Sequence, residues 1–478
     1  MKSVAKYKTR REEVKAKKQN AKIFPIYKMF SWDLLFFYST QFLFFTNVKG
    51  LTPGEILKAD AFYPLFIILM QLPATICADF LGRKKSLILG NVMMTIYILL
   101  IILLPGFIGI IIANIVFAFG YSIKGVQETN ILYDSTATRG GEGLYPKING
   151  KGATGYYILD GIASLISGYL FVINGYLPMI IALIFTIIGT IISMNFKDIY
   201  VNKLEEHEIS NKIKEYKTDL RISIKNILSS KRLKALLIFM GLFNAIITIT
   251  STYKGNILTE LQVEPETFSV INAILTFIAG IGSTFQNKIH KKFRNKTFTV
   301  LSMTMASSIL LIGIILFSKS TYMLPIILML FALRNIIMSN YYVLSERYSK
   351  NFSTPKTRTR ISFAIEISTN IIEAVLVFLS GMLLDGTNIQ FATLIIGLIF
   401  LMLFVLALDY MRTRIGLKPS KYDKKDIELE WLLVSINTKQ QGSQMARGYN
   451  REHRIYWFYR SLFFNASDTS DNRRRNKV

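Results

Sequence analysis

The chain is 478 residues long, 51% hydrophobic, and carries 57 lysines and arginines against 31 aspartates and glutamates, a formal net charge of +26. Its apolar residues run together, as in Ile101–Ala118 and Ala392–Leu408, which excludes a soluble globular domain in favour of a multi-spanning membrane protein. The single cysteine, Cys77, excludes an intramolecular disulfide, and His207, His290 and His453 stand too far apart for a zinc site, so no metal or other cofactor is expected.

Residues 1–30 read as a basic arm. Ten lysines and arginines fall within 1–28 with no apolar core of a cleavable signal, which predicts a cytoplasmic segment resting on anionic membrane lipid. Twelve apolar spans follow, at 31–48, 61–78, 86–104, 106–126, 152–174, 176–195, 233–253, 267–287, 297–317, 321–344, 361–384 and 388–411. Most approach the roughly 20 residues that cross a bilayer core. The segment 196–232 divides them into two six-helix bundles, 31–195 and 233–411. Its Ile213, Tyr216, Leu220, Ile224 and Ile227 recur at near-helical spacing and predict an amphipathic helix on the inner membrane face. Beyond this, 412–478 loses all period and is expected to be a basic, disordered cytoplasmic tail.

Loop charges set the expected orientation. The 2–3 turn holds Arg83, Lys84 and Lys85; the 8–9 loop holds Lys288, Lys291, Lys292, Arg294 and Lys296; the 10–11 loop holds Arg347, Lys350, Lys356, Arg358 and Arg360. The 3–4, 5–6 and 11–12 links have no lysine or arginine. The positive-inside rule then places both termini in the cytoplasm of a cell-membrane protein. The basic excess serves topology, so nucleic acid is not an expected partner.

Ionisable groups inside a membrane helix are costly and are candidates for function. Span eleven carries Glu366, Asn370, Glu373 and Ser380 on one face, a polar stripe suited to a water-filled cavity. Span ten carries Arg334, with Met338, Tyr341 and Ser345 on the same face; span five carries Asp160; span four carries Lys124 and Glu128, which as an i, i+4 pair are also able simply to neutralise each other; span one begins with Asp33 beside Trp32. Glu128, Asp160, Arg334, Glu366, Asn370 and Glu373 form the candidate set for substrate binding or proton coupling. Span seven adds Asn244, Thr248, Thr250, Ser251 and Thr252.

The turn Asp79-Phe80-Leu81-Gly82-Arg83-Lys84 resembles the loop between the second and third helices of the major facilitator superfamily, whose signature reads G-x-x-x-D-x-x-G-R-[KR]-x-[KR]. Thr75 departs from it at the first position and Ser86 at the last. The stretch Gly120–Ser135 is similar to the fourth helix of bacterial drug-efflux members, and Pro355–Ser362 looks like the start of their helix eleven. The resemblance covers 31–411. It implies an all-α membrane fold of twelve transmembrane helices in two halves, with a cavity lined by helices one, four, seven and ten. It also implies a conformational latch of Asp79, Gly82, Arg83, Lys84 and Asp134, in which Arg83 pairs with Asp134 and Asp79 faces the start of helix eleven. The Gly-Pro antiporter signature of helix five is absent; Gly152, Gly155, Gly161 and Gly168 stand there instead.

The expected function is secondary active transport by a monomer: proton-coupled efflux of small amphipathic compounds by alternating access. The alternatives are an uptake permease for a sugar, peptide or organic acid, and a non-transporting membrane sensor. No metal-ligand spacing, nucleophile elbow or phosphate loop supports an enzyme.

Overall fold

Hydrocarbon offers no partner for backbone polar groups, so long apolar segments close their hydrogen bonds internally, as helices. The computed structural model of the chain describes residues 4–5, 10–136, 144–201, 218, 221, 231–293, 296–318, 323–351 and 358–412. The expected amphipathic linker helix, apart from isolated positions, and the tail after 412 lie outside the described residues. The helices are α1 (Arg10–Ser31), α2 (Gln41–Leu43), α3 (Pro53–Leu81), α4 (Arg83–Leu103), α5 (Gly106–Thr136), α6 (Leu144–Ile173), α7 (Leu177–Ser193), α8 (Lys231–Glu260), α9 (Pro265–Thr284), α10 (Gln286–Phe293), α11 (Thr297–Ile315), α12 (Met323–Asn351), α13 (Arg358–Gly386) and α14 (Ile389–Arg412). The described strands are two-residue pieces, β1 (Val4–Ala5) and β2 (Tyr200–Val201), which pair antiparallel. Ten described helices are long and apolar enough to cross a bilayer, and α7, at 17 residues, is shorter.

The expected first span, 31–48, is not one helix. α1 stops at Ser31, residues 32–40 are irregular, and after α2 a π-helical turn covers Phe44–Val48, closed by the Lys49 amide on the Phe44 carbonyl at 3.0 Å. Phe36 adopts φ +66°, the left-handed region that bulky residues avoid. The end of α1 already packs into the bundle: Phe24 and Tyr27 are buried with Leu87, Ile131, Leu132 and Phe196.

The long helices have legible ends. Thr52 caps α3 through a reciprocal capping box with Glu55, followed by Pro53 in the first turn. α3 contains Pro64 and Pro73, and it stops at Gly82, whose φ of +77° needs a residue without Cβ. Asp198 then accepts from the Lys84 amide at 2.8 Å and ties the start of α4 to the chain beyond α7.

The two halves repeat. In the first, α1 packs on α6, α3 on α5, α4 on α5 and α4 on α7; in the second, α8 packs on α13, α9 on α12, α11 on α12 and α11 on α14. Each of these pairs in the first half has its counterpart in the second, in the same chain order. The seams between the halves, α3 against α13 and α6 against α9, are exchanged by the same correspondence.

Both seams close at the end away from Gly82. On one, Lys58 Nζ pairs with Asp385 Oδ2 at 2.5 Å, Thr52 donates to Asp385 Oδ1 at 2.9 Å, and Phe62 meets Phe378. On the other, the Gly168 amide donates to Ser269 Oγ at 3.1 Å, and a Cβ on Gly168 would collide with the Pro265 carbonyl and lie 2.7 Å from Glu266 Cα. Nothing lies within 4 Å of the corresponding point on Gly161.

This contrast predicts opposite signs for one substitution. Gly161→Ala gains helix propensity and is expected to raise the melting temperature in detergent, whereas Gly168→Ala overpacks the seam and is expected to lower it by the equivalent of about 1–3 kcal/mol. Equal shifts in the two variants contradict the close α6–α9 approach.

Candidate functional site

Between the halves lies a cavity of about 560 Å³. The irregular segment and α2 contribute Asp33, Tyr38, Gln41 and Phe42; α3 contributes Asp60, Tyr63 and Pro64; α4 and α5 contribute Tyr97, Asn114, Phe117 and Tyr121. From the second half come Thr248, Ser251, Thr252 and Lys254 of α8, Asn272 of α9, Arg334, Asn335 and Met338 of α12, and Glu373 of α13. Unsatisfied backbone in a bilayer is tolerated where it faces such a cavity, and that is where the first span breaks.

The charged side chains are held mainly by neutral groups. Arg334 is buried; its Nε donates to Thr250 Oγ1 at 2.9 Å, one terminal nitrogen to Asn335 Oδ1 at 2.7 Å and the other to the Ile247 carbonyl at 2.7 Å. Asn335 in turn donates to the Leu275 carbonyl at 3.0 Å, so the guanidinium is fixed to three helices, α8, α12 and α9. Lys254 donates to Asn272 Oδ1 at 2.5 Å, and Asn272 donates across the halves to the Ser39 carbonyl at 3.2 Å. Glu373 accepts from Thr248 at 2.7 Å, Asp60 from Thr252 at 3.4 Å, and Asp33 from the Tyr38 hydroxyl and the Leu34 amide, both at 2.9 Å.

The sequence candidates thus separate into groups. Arg334 and Glu373 line the cavity. Glu366 lies on α13 beside Gln71 of α3, and neither it nor Asn370 is among the lining residues. Ser380, further along the stripe, is buried and donates to the Tyr253 hydroxyl at 3.1 Å. Glu128 belongs to a buried network in the first half: it accepts from Tyr27 at 2.7 Å and lies 3.8 Å from Lys124, while Tyr27 and Ser31 both reach Asn91. Lys124 also donates to the Trp32 carbonyl at 3.1 Å, capping α1 where it ends. Asp160 is on α6, one turn from Tyr156 and Tyr157, whose rings pack on Trp32.

The signature turn is assembled as a unit. Arg83, the first residue of α4, forms an ion pair with Asp134 in the last turn of α5. Gly82 supplies the turn, the Lys84 amide engages Asp198, and Asp79 sits in the last turn of α3. The side chains of Arg358, Arg360 and Ser362, at the start of α13, lie outside those described.

Asp60 and Lys254 were not singled out as site residues from sequence. Asp60 falls one residue before the expected second span because α3 starts eight residues earlier, at Pro53. Lys254 falls one residue after the expected seventh span, and α8 runs on to Glu260. Extending each span to its capping signals, Thr52-Pro53 for α3, brings Asp60 within the membrane.

Solved structures share this architecture at low identity. A crystal structure of the nucleoside transporter NupG aligns with a TM-score of 0.63 at 15% identity over 85% of this chain and 100% of that one. A POT family transporter in complex with 5-aminolevulinic acid aligns with 0.59 at 14% identity over 85% and 97%, and the peptide transporter POT in complex with sulfate with 0.54 at 13% over 85% and 96%. These likenesses establish the fold. No curated protein matches the chain by sequence. The model of the Major Facilitator Superfamily matches residues 27–331, more than half of the chain, across the broken first span, the signature turn and the α3–α5 wall of the cavity; the chain belongs to the major facilitator superfamily of membrane transporters.

Proposed function

We propose that the protein is a proton-coupled permease that moves a small, polar organic solute by alternating access. The observation that carries this reading is a cavity between two repeated halves, walled by aspartate, glutamate, lysine, arginine and asparagine, with the Lys58–Asp385 pair joining the halves toward one end. Two pseudo-equivalent bundles rocking about a central site are the physical basis of such transport. Carboxyl groups held by single hydroxyls, as Asp60 and Glu373 are, suit a cycle of protonation and release. The positive-inside rule assigns the Gly82 end to the cytoplasm, so the end with the Lys58–Asp385 pair faces outward. In this reading twelve spans cross the membrane, with α1, α2 and the π-helical turn together making the first.

Uptake is the direction that the polar lining fits, and nucleoside and peptide transporters of the same fold lend it support. This reverses the order expected from sequence. Efflux of an amphipathic cation is the second reading, favoured by Tyr63, Tyr97, Phe117 and Tyr121 near Asp33 and Asp60, a combination that attracts hydrophobic cations. Proton flux in proteoliposomes under an imposed pH gradient separates the two. Flux triggered by dipeptides, nucleosides or sugars supports uptake, and flux triggered by lipophilic cations alone supports efflux.

Arg83 and Asp134 are assigned to the cytoplasmic latch. Arg83→Ala and Asp134→Asn are each expected to slow turnover about tenfold or more, the effect of roughly 1.4 kcal/mol on a barrier, with no comparable loss of thermal stability. Normal transport in both variants removes the latch from the mechanism.

Glu373 is assigned to the coupling proton. Glu373→Gln is expected to abolish pH-driven accumulation while leaving solute exchange at equal pH on both sides. An unchanged pH profile transfers the role to Asp60, and Asp60→Asn then becomes the decisive variant.

A further inference from the structure

Two cations on one wall of the cavity are held by neutral groups. Lys254 is bonded to the neutral Asn272, and Arg334 to Thr250, Asn335 and a carbonyl. Among the described residues no carboxylate forms an ion pair with either. Both stand on the second half and line the same cavity. A cation away from water costs several kcal/mol unless it is paired, and a second one nearby adds to that cost.

The carboxylates of the same cavity do not neutralise them. Asp33 and Asp60 stand on the first half, and Glu373 is engaged by Thr248. Two of the three acids thus face the bases from the other half, while the third, Glu373, shares the second half with them. A solute bearing both signs completes both walls at once.

We propose that Lys254 and Arg334 form a subsite for the carboxylate of a zwitterionic solute, whose ammonium group faces Asp33 and Asp60. The assignment rests on the transporter reading above and names the substrate class for that site. A free phosphate dianion satisfies the bases but faces three acids in one cavity, whereas a zwitterion brings no net charge. The subsite also touches the seam between the halves. Asn272, which holds Lys254, donates to the Ser39 carbonyl in the irregular segment of the first span. A carboxylate on Lys254 competes with Asn272 Oδ1 and frees that asparagine, so occupation loosens a bond joining the halves.

The test measures thermal stabilisation of the full chain in detergent by probe pairs that differ only in the acid group. Glycine, dialanine and trialanine are each compared with the corresponding C-terminal amide, and inorganic phosphate is run beside them. At least one free acid is expected to stabilise the protein more than its amide. Lys254→Met and Arg334→Met are expected to weaken that acid roughly ten- to hundredfold, the scale of losing one desolvated charge pair, and Lys254→Arg to restore part of it. Lys254→Gln keeps a donor for Asn272 and serves as the variant least prone to misfold. Acids and amides that behave alike in the wild type overturn the subsite, as does discrimination that survives in both methionine variants. Phosphate stabilising more than every zwitterion overturns the zwitterion assignment. Counterflow in proteoliposomes distinguishes the two levels: transport of the amides that equals transport of the free acids overturns the subsite and leaves the transporter reading standing.

Discussion

Placing an ion in hydrocarbon is among the costliest things a membrane helix does, and this chain does it repeatedly with Asp60, Lys254, Arg334 and Glu373. The rest of the architecture follows from keeping those groups away from lipid. Their helices turn them inward, each half supplies one wall, and neutral partners hold them in place: Thr252 for Asp60, Asn272 for Lys254, Thr250 and Asn335 for Arg334, Thr248 for Glu373. Hydroxyl and amide partners stabilise a charge less than an opposite charge does, and they leave it able to exchange a proton or a ligand. Two of the pairs in which opposite charges do meet, Lys58–Asp385 and Arg83–Asp134, lie toward opposite ends of the helices and join separate helices.

Much of this was legible in the sequence. Long apolar runs give helices, and Arg334 and Glu373 stand out because a charge in the middle of such a run is rare. The pairing of Arg83 with Asp134 came from a motif and reappears as a contact. Asp60 and Lys254 were hidden by one residue each, because span boundaries were drawn at the edge of the apolar run although the helices continue beyond it. A polar group that lines a cavity shortens the apolar run around it, so the edges of such runs fall short of the helices where cavity-lining residues lie. Asn272 and Asn335 carry no charge and raised no signal. On α13, helical phase grouped Glu366, Asn370 and Glu373, but phase says nothing about depth, and only Glu373 reaches the cavity.

The broken first span was not legible. Residues 32–40 contain no glycine or proline, and Phe36 at positive φ gives no warning in its identity. The break is held by tertiary contacts: Lys124 takes the Trp32 carbonyl, Asn272 takes the Ser39 carbonyl, and the tyrosines of α6 clamp Trp32. The buried network of Tyr27, Ser31, Asn91 and Glu128 anchors the α1 side, so the irregular segment runs from a fixed helix to α2. Sequence periodicity describes a helix in isolation, and here the surroundings decide.

Pro64 lies on α3 four residues after Asp60, and both line the cavity. Proline has no amide hydrogen, so the main-chain oxygen of Asp60 has no helical donor four residues on. One turn of α3 thus carries a carbonyl freed from its helical bond and, on the same residue, a carboxylate that lines the cavity. Such an arrangement matches the several N–H bonds of a primary ammonium group better than the one bond a tertiary amine can give. In the proposed zwitterion site, Pro64 thereby bears on which amines the Asp60 turn can hold.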